Sequence, residues 1–405
     1  MERKKNVFKR LFAYTLLALN ILVCIWSALC YIAAVTEPER IGLLQLASLS
    51  TAFAFFANFF FVFFWLFTKK KWRSLIGVAT LLVFSKIFLP VFGWHFFASN
   101  EIAAGSNTLK VMQWNVHAFG LYDGREGLEK AEKMLAVIKK NNPDVLCLDE
   151  YFVVGQDSSD AYTQRIMREN GYKEYRFKED NEYEEDKNIH LGTAIFSRYP
   201  LADFLAYPLS KKLRITDNGA SYLLQTDVLL PVQKKLRLFA LHLYSSGIST
   251  SDINFIEKLK GRKAGKVNLS DYDPDFLDEL HRKGINPNDR FKVFIYKLTT
   301  SGCKRAAEAD SVAKVIANSP YPVLICGDIN DVPSSYVYTT VRGKRADLFV
   351  EKGRSLGRTF NAILPTLRID DVFYDPTLLK ALAYKTPNSF LSDHKPVIAV
   401  FEIKK

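Results

Sequence analysis

The chain has 405 residues, of which 48% are hydrophobic and 24% are charged, a composition that excludes a disordered or low-complexity protein. Its 55 Lys and Arg against 43 Asp and Glu give a net charge of +12, which by itself would permit a nucleic-acid or an anionic-membrane partner. The five cysteines form neither a Cys-x-x-Cys pair nor a disulfide framework, which argues against thiol chemistry and structural zinc.

The first hundred residues differ from the rest of the chain. They contain 16 of the 31 Phe residues and only three acidic residues, and they carry +8 of the net charge. Three apolar segments, at about 11–35, 41–67 and 75–97, each reach the roughly 20 residues that a helix needs to cross a bilayer. We therefore predict a membrane anchor of three transmembrane helices over residues 1–98, followed by a polar linker at 99–107.

The flanking charges predict the orientation of these helices. Five Lys and Arg residues precede the first segment and four lie at 69–73, whereas the loop between the first two segments holds two Glu and one Arg. The positive-inside rule then places the N-terminus in the cytoplasm. Three spans make this a multi-pass protein of the cytoplasmic (inner) membrane, with the lipid bilayer as a partner and the C-terminal domain outside the cytoplasm. Lys86 is the single charge in the third segment, and if that segment is re-entrant or interfacial, the domain faces the cytoplasm instead.

Residues 108–405 alternate short β-rich runs with stretches of helical periodicity. Strands are predicted at 109–115, 144–148, 192–197, 221–229, 236–243, 323–326, 370–374 and 397–403, and helices at 127–141, 161–170 and 303–317. This order predicts an α/β (α+β) domain in which two packed β-sheets are flanked by helices. The segment 248–302, rich in Lys, Asp and Asn, interrupts the pattern and is predicted to be an insertion.

Eight polar residues fall at or just beyond the ends of predicted strands. They are Asn115, Glu150, His242, Asp328, Asn330, Asp370, Asp393 and His394. Active sites of layered folds gather residues from strand ends, because the sheet holds them rigidly while the loops leave them open. Carboxylate and amide oxygens suit Mg²⁺ or Mn²⁺, and imidazoles exchange protons near neutral pH. The set therefore favours metal-assisted hydrolysis of a phosphate ester.

Seven motifs, six of which contain these residues, give the chain a resemblance to a known family. They are QWNV (113–116), PDVLCLDE (143–150), GTAIFSR (192–198), LHL (241–243), GDIND-x-P-S (327–334), RIDD (368–371) and SDHKPV (392–397). In this order they resemble the endonuclease/exonuclease/phosphatase family, which includes DNase I-like nucleases, inositol polyphosphate 5-phosphatases and neutral sphingomyelinases. The resemblance spans roughly 108–404 and implies the DNase I-like four-layer sandwich.

The resemblance also implies a role for each residue of the set. Glu150 would be the principal Mg²⁺ ligand, with Asn115 beside it, and Mn²⁺ could replace Mg²⁺. Asp328 would orient or activate the attacking water, and Asn330 would hold the phosphate. The remaining roles fall on four residues: His242 and His394 would contact phosphoryl oxygens or transfer protons, Asp370 would orient His394, and Asp393 would complete the metal and histidine environment.

Two positions depart from the family pattern. Asp149 stands where the family usually has Gln, which would add negative charge near the metal. His117 stands where DNA-repair members often have Asp, which makes a repair nuclease a poorer interpretation. From the sequence alone, both residues are open to a site-lining or an incidental role.

Three functions are consistent with these observations. The first is a membrane-anchored, Mg²⁺-dependent hydrolase of a phosphate mono- or diester, with a lipid or a small phosphodiester favoured as substrate. The second is an extracytoplasmic nuclease, although only +4 of the net charge lies beyond residue 100 and a broad basic surface is not required. The third is a non-catalytic membrane protein that binds a phosphorylated ligand. The sequence leaves the oligomeric state open.

Overall fold

The computed structural model describes most of the chain. The described residues are 2–96, 107–155, 161–182, 188–209, 221–231, 233–248, 250–259, 261, 272, 274–361 and 366–404. Residues 99–106 of the predicted linker at 99–107 lie outside the described residues.

The first of two large sheets has six strands in the order β13-β14-β2-β3-β5-β4. Their bounds are β2 Thr108–Asn115, β3 Val145–Val154, β4 Glu174–Glu182, β5 Ile189–Ser197, β13 Leu379–Lys385 and β14 Val397–Ile403. Strands β2 and β3 are parallel, and every other neighbouring pair of this sheet is antiparallel. The side chains of β2 are buried on both faces, because the sheet is covered on both sides.

The second sheet also has six strands, in the order β10-β12-β9-β8-β7-β6. Their bounds are β6 Leu201–Pro208, β7 Tyr222–Leu230, β8 Lys234–His242, β9 Val323–Asp328, β10 Ala346–Asp347 and β12 Asp370–Tyr374. Here β8 and β9 are the parallel pair, and the others are antiparallel. Each sheet therefore places one parallel pair near its centre.

The two sheets pack face to face between layers of helices. Val111 and Ile195 of the first sheet share one buried cluster with Leu238 and Leu324 of the second. On the outer faces lie α6 Arg125–Asn141 and α7 Ala161–Asn170 against the first sheet, and α10 Arg290–Ala317 and α11 Tyr336–Arg342 against the second. The predicted fold, two packed sheets flanked by helices, is confirmed.

The predicted insertion at 248–302 is helical where the structure describes it. It contains α8 Thr250–Leu259, α9 Pro274–Arg282 and the first part of α10. The helix predicted at 303–317 is therefore the second half of a 28-residue helix that begins in the insertion. Short elements complete the domain: α12 Leu348–Lys352 and β11 Arg354–Ser355.

The N-terminal region is helical but differs from the prediction of three full spans. Its elements are α1 Glu2–Val35, α2 Leu46–Leu49, α3 Thr51–Leu66, α4 Ser74–Val83, α5 Ser85–Phe88 and β1 Gly93–Trp94. One helix, Lys9–Val35, is long and apolar enough to cross a membrane.

The other two predicted spans are corrected by the structure. Helix α3 has 16 residues, fewer than the roughly 20 that a full crossing requires. The third apolar segment is not one helix, because its two parts meet at an angle of 74°. A short 3₁₀ helix at Leu89–Val91, which contains Pro90, follows α5, and the chain then enters β1. Apolar composition alone could not reveal these breaks.

Polar contacts connect these helices, and they show that consecutive helices run in opposite directions. Trp26 Nε1 donates to Ser50 Oγ at 2.8 Å, and Trp65 Nε1 donates to Asn20 Oδ1 at 3.0 Å, so α3 runs antiparallel to α1. Arg73 Nη1 contacts the Ala13 carbonyl oxygen at 3.4 Å. The loop before α4 therefore lies toward the N-terminal end of α1.

The C-terminal domain contacts the opposite end of this helical bundle. Gln45 Nε2 donates to the Thr299 carbonyl oxygen at 2.8 Å, and Arg368 Nη2 donates to the Pro90 carbonyl oxygen at 3.3 Å. Strand β1 pairs with β11 of the domain. The connection between α1 and α3 and the end of the third apolar segment therefore lie on the same side, next to the domain.

Candidate active site

The site forms where the ends of central strands from both sheets meet. In the second sheet, His242 pairs with Asp328 across the parallel ladder, and Asp328 pairs with Asp370 across the antiparallel one. In the first sheet, Asn115 is the last residue of β2 and pairs with Asp149 of β3. Strand pairing thus places three of the predicted polar residues in one row.

Hydrogen bonds between the sheets bring these residues together. Asn115 Nδ2 donates to Asp328 Oδ2 at 3.3 Å, and Gln113 Nε2 donates to Asp370 Oδ1 at 3.2 Å. The backbone N–H of Asp328 donates to Asp149 Oδ2 at 3.2 Å. These polar contacts are buried, so each fixes the position of one sheet end relative to the other.

Glu150 is turned toward the site by a break in the strand ladder. The pairing of β3 with β5 shifts between Leu148 and Tyr151, and Glu150 has a left-handed φ of +50°. Its carboxylate accepts from Asn115 Nδ2 at 2.9 Å and lies 3.3 Å from His117 Nδ1. Burial opposes ionisation, but the hydrogen bond from His117 and the charge of His242 lower the pKa of Glu150 to about 2. The carboxylate is therefore an anion at neutral pH.

His394 lies between two carboxylates. Its Nδ1 is 2.8 Å from Asp370 Oδ2, and its Nε2 is 3.6 Å from Asp328 Oδ2. Burial disfavours the imidazolium, but the Asp370 and Asp328 carboxylates outweigh burial and raise the pKa of His394 well above its usual range. Burial in turn raises the pKa of Asp328 to about 6, against the opposing charge of His394. Asp370 is thus placed to orient the ring, as the family resemblance implied.

The imidazole of His242 faces the same carboxylates from the other side. Its Nε2 is 3.8 Å from Glu150 Oε1 and 3.9 Å from Asp328 Oδ2. This buried nitrogen has no hydrogen-bond partner among the residues that the structure describes. Burial lowers its basicity, but Asp328 and Glu150 raise the pKa of His242 to about 9. A cationic donor is therefore left available between two acidic side chains.

Asn330 and Asp393 occupy the border of the site. Asn330 has a left-handed φ of +52°, its backbone N–H donates to Asp328 Oδ1 at 2.8 Å, and its Nδ2 donates to the Leu243 carbonyl oxygen at 2.9 Å. Asp393 Oδ1 is 3.9 Å from His117 Nδ1 and accepts from Ser392 Oγ at 3.1 Å. Together with the six residues above, they complete the predicted set of eight in one region.

The donor set fits a divalent cation. Glu150 offers an ionised carboxylate, the carboxyl group of Asp393 lies beside it, and both are near His117. Asn115 Oδ1 accepts from the His117 N–H at 3.1 Å and retains a second lone pair. A separate buried group, Asp328, Asp370 and His394, presents ligand atoms that all lie within 4.8 Å of one another. Oxygen-rich groups of this kind are typical of Mg²⁺ and Mn²⁺ sites.

Sequence reasoning did not identify three residues of this region. His117, whose role was open, lines the site beside Glu150. Arg305, on α10, is buried, borders the same cavity and lies 3.7 Å from Asp331 Oδ2 through its Nε. Asp180 lies on β4, which continues through Glu182, and its Oδ1 is buried. No motif distinguishes Arg305 or Asp180.

Asp149 lies beneath the site and is buried, so it does not border the cavity as a free anion. Its Oδ2 accepts from Gln113 Nε2 at 2.8 Å, whereas its Oδ1 has no partner among the described residues. Burial raises the pKa of Asp149 to about 7. The residue is therefore largely protonated below neutral pH, and the extra negative charge that the sequence indicated is diminished.

Replacing Asp149 with Asn is expected to stabilise the metal-free protein in a pH-dependent way. The unfolded carboxyl ionises near pH 4 and the folded one near pH 7, so the folded wild type binds more protons between these values and loses stability as the pH rises. The advantage of the variant should grow from pH 4.5 to 7.5, by at most about 4 kcal/mol, and then level off. Urea unfolding of the EDTA-treated proteins at each pH measures this difference in the free energy of unfolding. Asp278→Asn, at an exposed position on α9, is the control, and a pH-independent difference would contradict the assignment.

A cavity of about 420 Å³ borders the site, and its volume is within the range of small-molecule pockets. Glu150, Asp328, Asn330 and His394 line one part of it. Other walls come from the N-terminal region and from the insertion, including Leu49 and Leu298.

Comparison with solved structures finds one of the same fold at a TM-score of 0.50 and others that are similar at lower scores. An endonuclease/exonuclease/phosphatase from Beutenbergia cavernae DSM 12333 matches with a TM-score of 0.50 and 19% identity, covering 73% of this chain and 72% of that chain. For the mannosyl-6-phosphatase Bt3783 of Bacteroides thetaiotaomicron VPI-5482, the TM-score is 0.47 and the identity is 14%, and the match covers 72% of this chain and 98% of that chain. For the human Nocturnin catalytic domain, the TM-score is 0.48 and the identity is 15%, and the match covers 74% of this chain and 95% of that chain.

Comparison with sequences divides the chain into two matched parts. No curated protein matches it. A model of a domain of unknown function matches residues 9–90. A model of the Endonuclease/Exonuclease/phosphatase family matches residues 112–394, which is more than half of the chain and includes all eight polar residues. The chain therefore belongs to the endonuclease/exonuclease/phosphatase family.

Proposed function

We propose that the protein is a membrane-anchored, Mg²⁺-dependent phosphoesterase that hydrolyses a phosphate mono- or diester, with a lipid or a small phosphodiester favoured. The observation that carries this proposal is the juxtaposition of anionic Glu150, the buried Asp328 carboxylate and the two imidazoles of His242 and His394. A site that both binds a phosphoryl group and accepts a proton from water needs these components.

Each residue of the site has a separate role in the proposed hydrolysis. Asp328 accepts a proton from the attacking water as the water oxygen bonds to phosphorus. His242 and His394, as cations, donate hydrogen bonds to phosphoryl oxygens, and Asn330 borders the same position. The phosphorus–oxygen ester bond breaks, and the leaving alcohol takes a proton from an imidazolium. Asp370 keeps His394 oriented through the 2.8 Å contact at Nδ1.

The cation would be held by Glu150 and Asp393, with Asn115 beside them. When bound, Mg²⁺ supplies Lewis-acid neutralisation of the phosphoryl oxygens. The low pKa of Glu150 supports its role, because a ligand must be deprotonated to bind the metal.

The arrangement of the N-terminal helices supports the proposed membrane orientation. The domain contacts the connection after α1 and the end of the third apolar segment, while Arg73 lies near Ala13 at the other end of the bundle. The Lys69–Arg73 cluster and the N-terminus therefore share the end away from the domain. By the positive-inside rule we infer that this end is cytoplasmic and that the domain is outside the cytoplasm.

A substrate panel tests the proposed function. We expect the full-length protein in detergent, with Mg²⁺, to hydrolyse at least one of sphingomyelin, phosphoinositides and bis(p-nitrophenyl) phosphate. EDTA should lower the rate at least 100-fold, and added Mg²⁺ or Mn²⁺ should restore it. Activity that EDTA leaves unchanged would contradict the metal assignment. Cleavage of DNA or RNA alone would support the nuclease alternative, and tight binding of phosphorylated ligands without turnover would support the non-catalytic one.

A further inference from the structure

The cavity that borders the catalytic residues extends well beyond them. Part of its remaining lining is an apolar wall from two regions that flank the catalytic domain: the connection around α2 contributes Leu46 and Leu49, and the insertion contributes Ile256, Phe294 and Leu298. None of these five side chains can form a hydrogen bond, whereas polar side chains such as Gln45, Ser246 and Arg305 line other parts of the cavity. An apolar wall of this kind favours contact with hydrocarbon.

The apolar surface continues from the cavity to solvent along two helices. On α8, Ile256 lines the cavity, and Leu259, three residues later on the same helix face, is 67% exposed. On α10, Phe294 and Leu298 line the cavity, and Phe291, one turn earlier, is 60% exposed. Large exposed apolar side chains in continuity with a pocket mark a binding surface. Each helix therefore carries an apolar stripe that leads out of the cavity.

The N-terminal wall is fixed to the domain and adjoins the candidate membrane helix. Ala33, which borders the cavity, lies in the last turn of the span-length helix Lys9–Val35. Gln45 Nε2 holds the α2 connection against α10 through its 2.8 Å hydrogen bond to Thr299. A Cβ atom at Gly302 would overlap Gln45 Oε1, so any larger residue there would displace the Gln45 side chain. One cavity thus joins the catalytic residues to the membrane-side end of α1.

We propose that this apolar part of the cavity binds the hydrocarbon chain of an amphiphilic phosphoester, whose phosphate lies between Glu150, His242 and His394. The inference rests on the proposed phosphoesterase function and specifies its substrate class. The α2 connection and the insertion are then specificity-determining elements, since neither contributes a residue that acts on the phosphate. The role of the insertion, which the sequence left open, is to form one wall for the chain.

Dependence on alkyl-chain length tests this inference. We would assay the full-length protein, in one non-ionic detergent at fixed concentration, on p-nitrophenyl alkyl phosphate diesters with ethyl, butyl, hexyl and octyl groups. The value of kcat/KM should rise on the order of 100-fold from ethyl to octyl, which corresponds to burial of roughly three to four of the added methylenes at up to about a fourfold gain each. Leu298→Trp and Leu49→Trp narrow the cavity from its two walls, and each should lower the octyl-to-ethyl ratio of kcat/KM at least tenfold. Leu128→Trp, at a 63% exposed position on α6, is the matched control and should leave the ratio unchanged.

The outcomes separate this inference from the function on which it rests. A wild-type kcat/KM that is independent of chain length, with the ethyl ester hydrolysed, would overturn the chain-binding site and leave the phosphoesterase intact. The chain-binding site is also overturned if neither cavity variant changes the ratio, or if Leu128→Trp lowers it as much as they do, because partition into detergent would then explain the wild-type trend. Failure to hydrolyse every ester, the ethyl ester included, would overturn the proposed function itself. Leu298→Trp and Leu49→Trp change separate segments of the chain. If one of the two variants fails to fold, the other still tests the inference.

Discussion

Replacing Asp328 with Asn should lower kcat by about 10³-fold while leaving the protein folded. Removal of a general base typically costs 10² to 10⁴ in rate, and this carboxylate also lies 3.6 Å from His394 Nε2 and 3.9 Å from His242 Nε2. An amide can neither accept the proton of water nor balance two imidazolium charges. Stability should be maintained, because burial already disfavours the ionised carboxyl and an amide keeps the shape of the side chain.

Steady-state kinetics on bis(p-nitrophenyl) phosphate measure this effect, and thermal unfolding monitors the fold. Asp278→Asn removes an exposed carboxylate from α9 and should change neither quantity. His394→Gln should cause a loss of similar size, and the double variant should be little worse than either single one, because the two groups act as a unit. A kcat within threefold of the wild type in folded Asp328→Asn would contradict the site assignment.

The second large effect concerns stability. Replacing Arg368 with Met is expected to lower the free energy of unfolding by about 3–5 kcal/mol, the usual cost of removing one partner of a buried ion pair. The Arg368 guanidinium is 1% exposed, donates to Asp347 Oδ2 at 3.0 Å and pairs with Asp371. It also lies 4.4 Å from the ring centre of Phe349. Without it, two buried carboxylates would be left uncompensated.

Urea or thermal unfolding of the detergent-solubilised protein measures this loss. The triple variant Arg368→Met, Asp347→Asn, Asp371→Asn serves as the matched control, because it removes the stranded negative charges together with the cation. It should recover a substantial part of the lost stability. A single variant as stable as the wild type would show that this ion-pair cluster contributes little to folding.

The eight residues of the candidate site lie close together because most of them are at or near the end of a strand. Asp328, His242 and Asp370 came from three separate motifs, and the ladder places them in register. What the sequence could not show was how the two sheets approach each other. The contact of Asn115 with Asp328 crosses between sheets, and the ladder shift that turns Glu150 outward depends on the neighbouring strand β5. Both depend on tertiary packing.

The N-terminal region also shows what sequence patterns cannot reveal. Hydropathy correctly located an apolar N-terminal region, and it identified one span-length helix at Lys9–Val35. It could not detect the bend after Val83, because apolar residues continue on both sides of it. Nor could it predict that Leu46 and Leu49 would border the catalytic cavity, since contacts between residues so far apart in the chain leave no local pattern.

The close approach of Gln45 to Gly302 has a consequence for protein engineering. In protein engineering, an N-terminal apolar region is often deleted to improve solubility or replaced by an unrelated transmembrane segment. Here the connection around α2 lines one side of the cavity that borders the candidate active site, so a chimera with an unrelated anchor would lack that wall. Truncated forms that begin at the catalytic domain would then be poor guides to the selectivity of the intact enzyme.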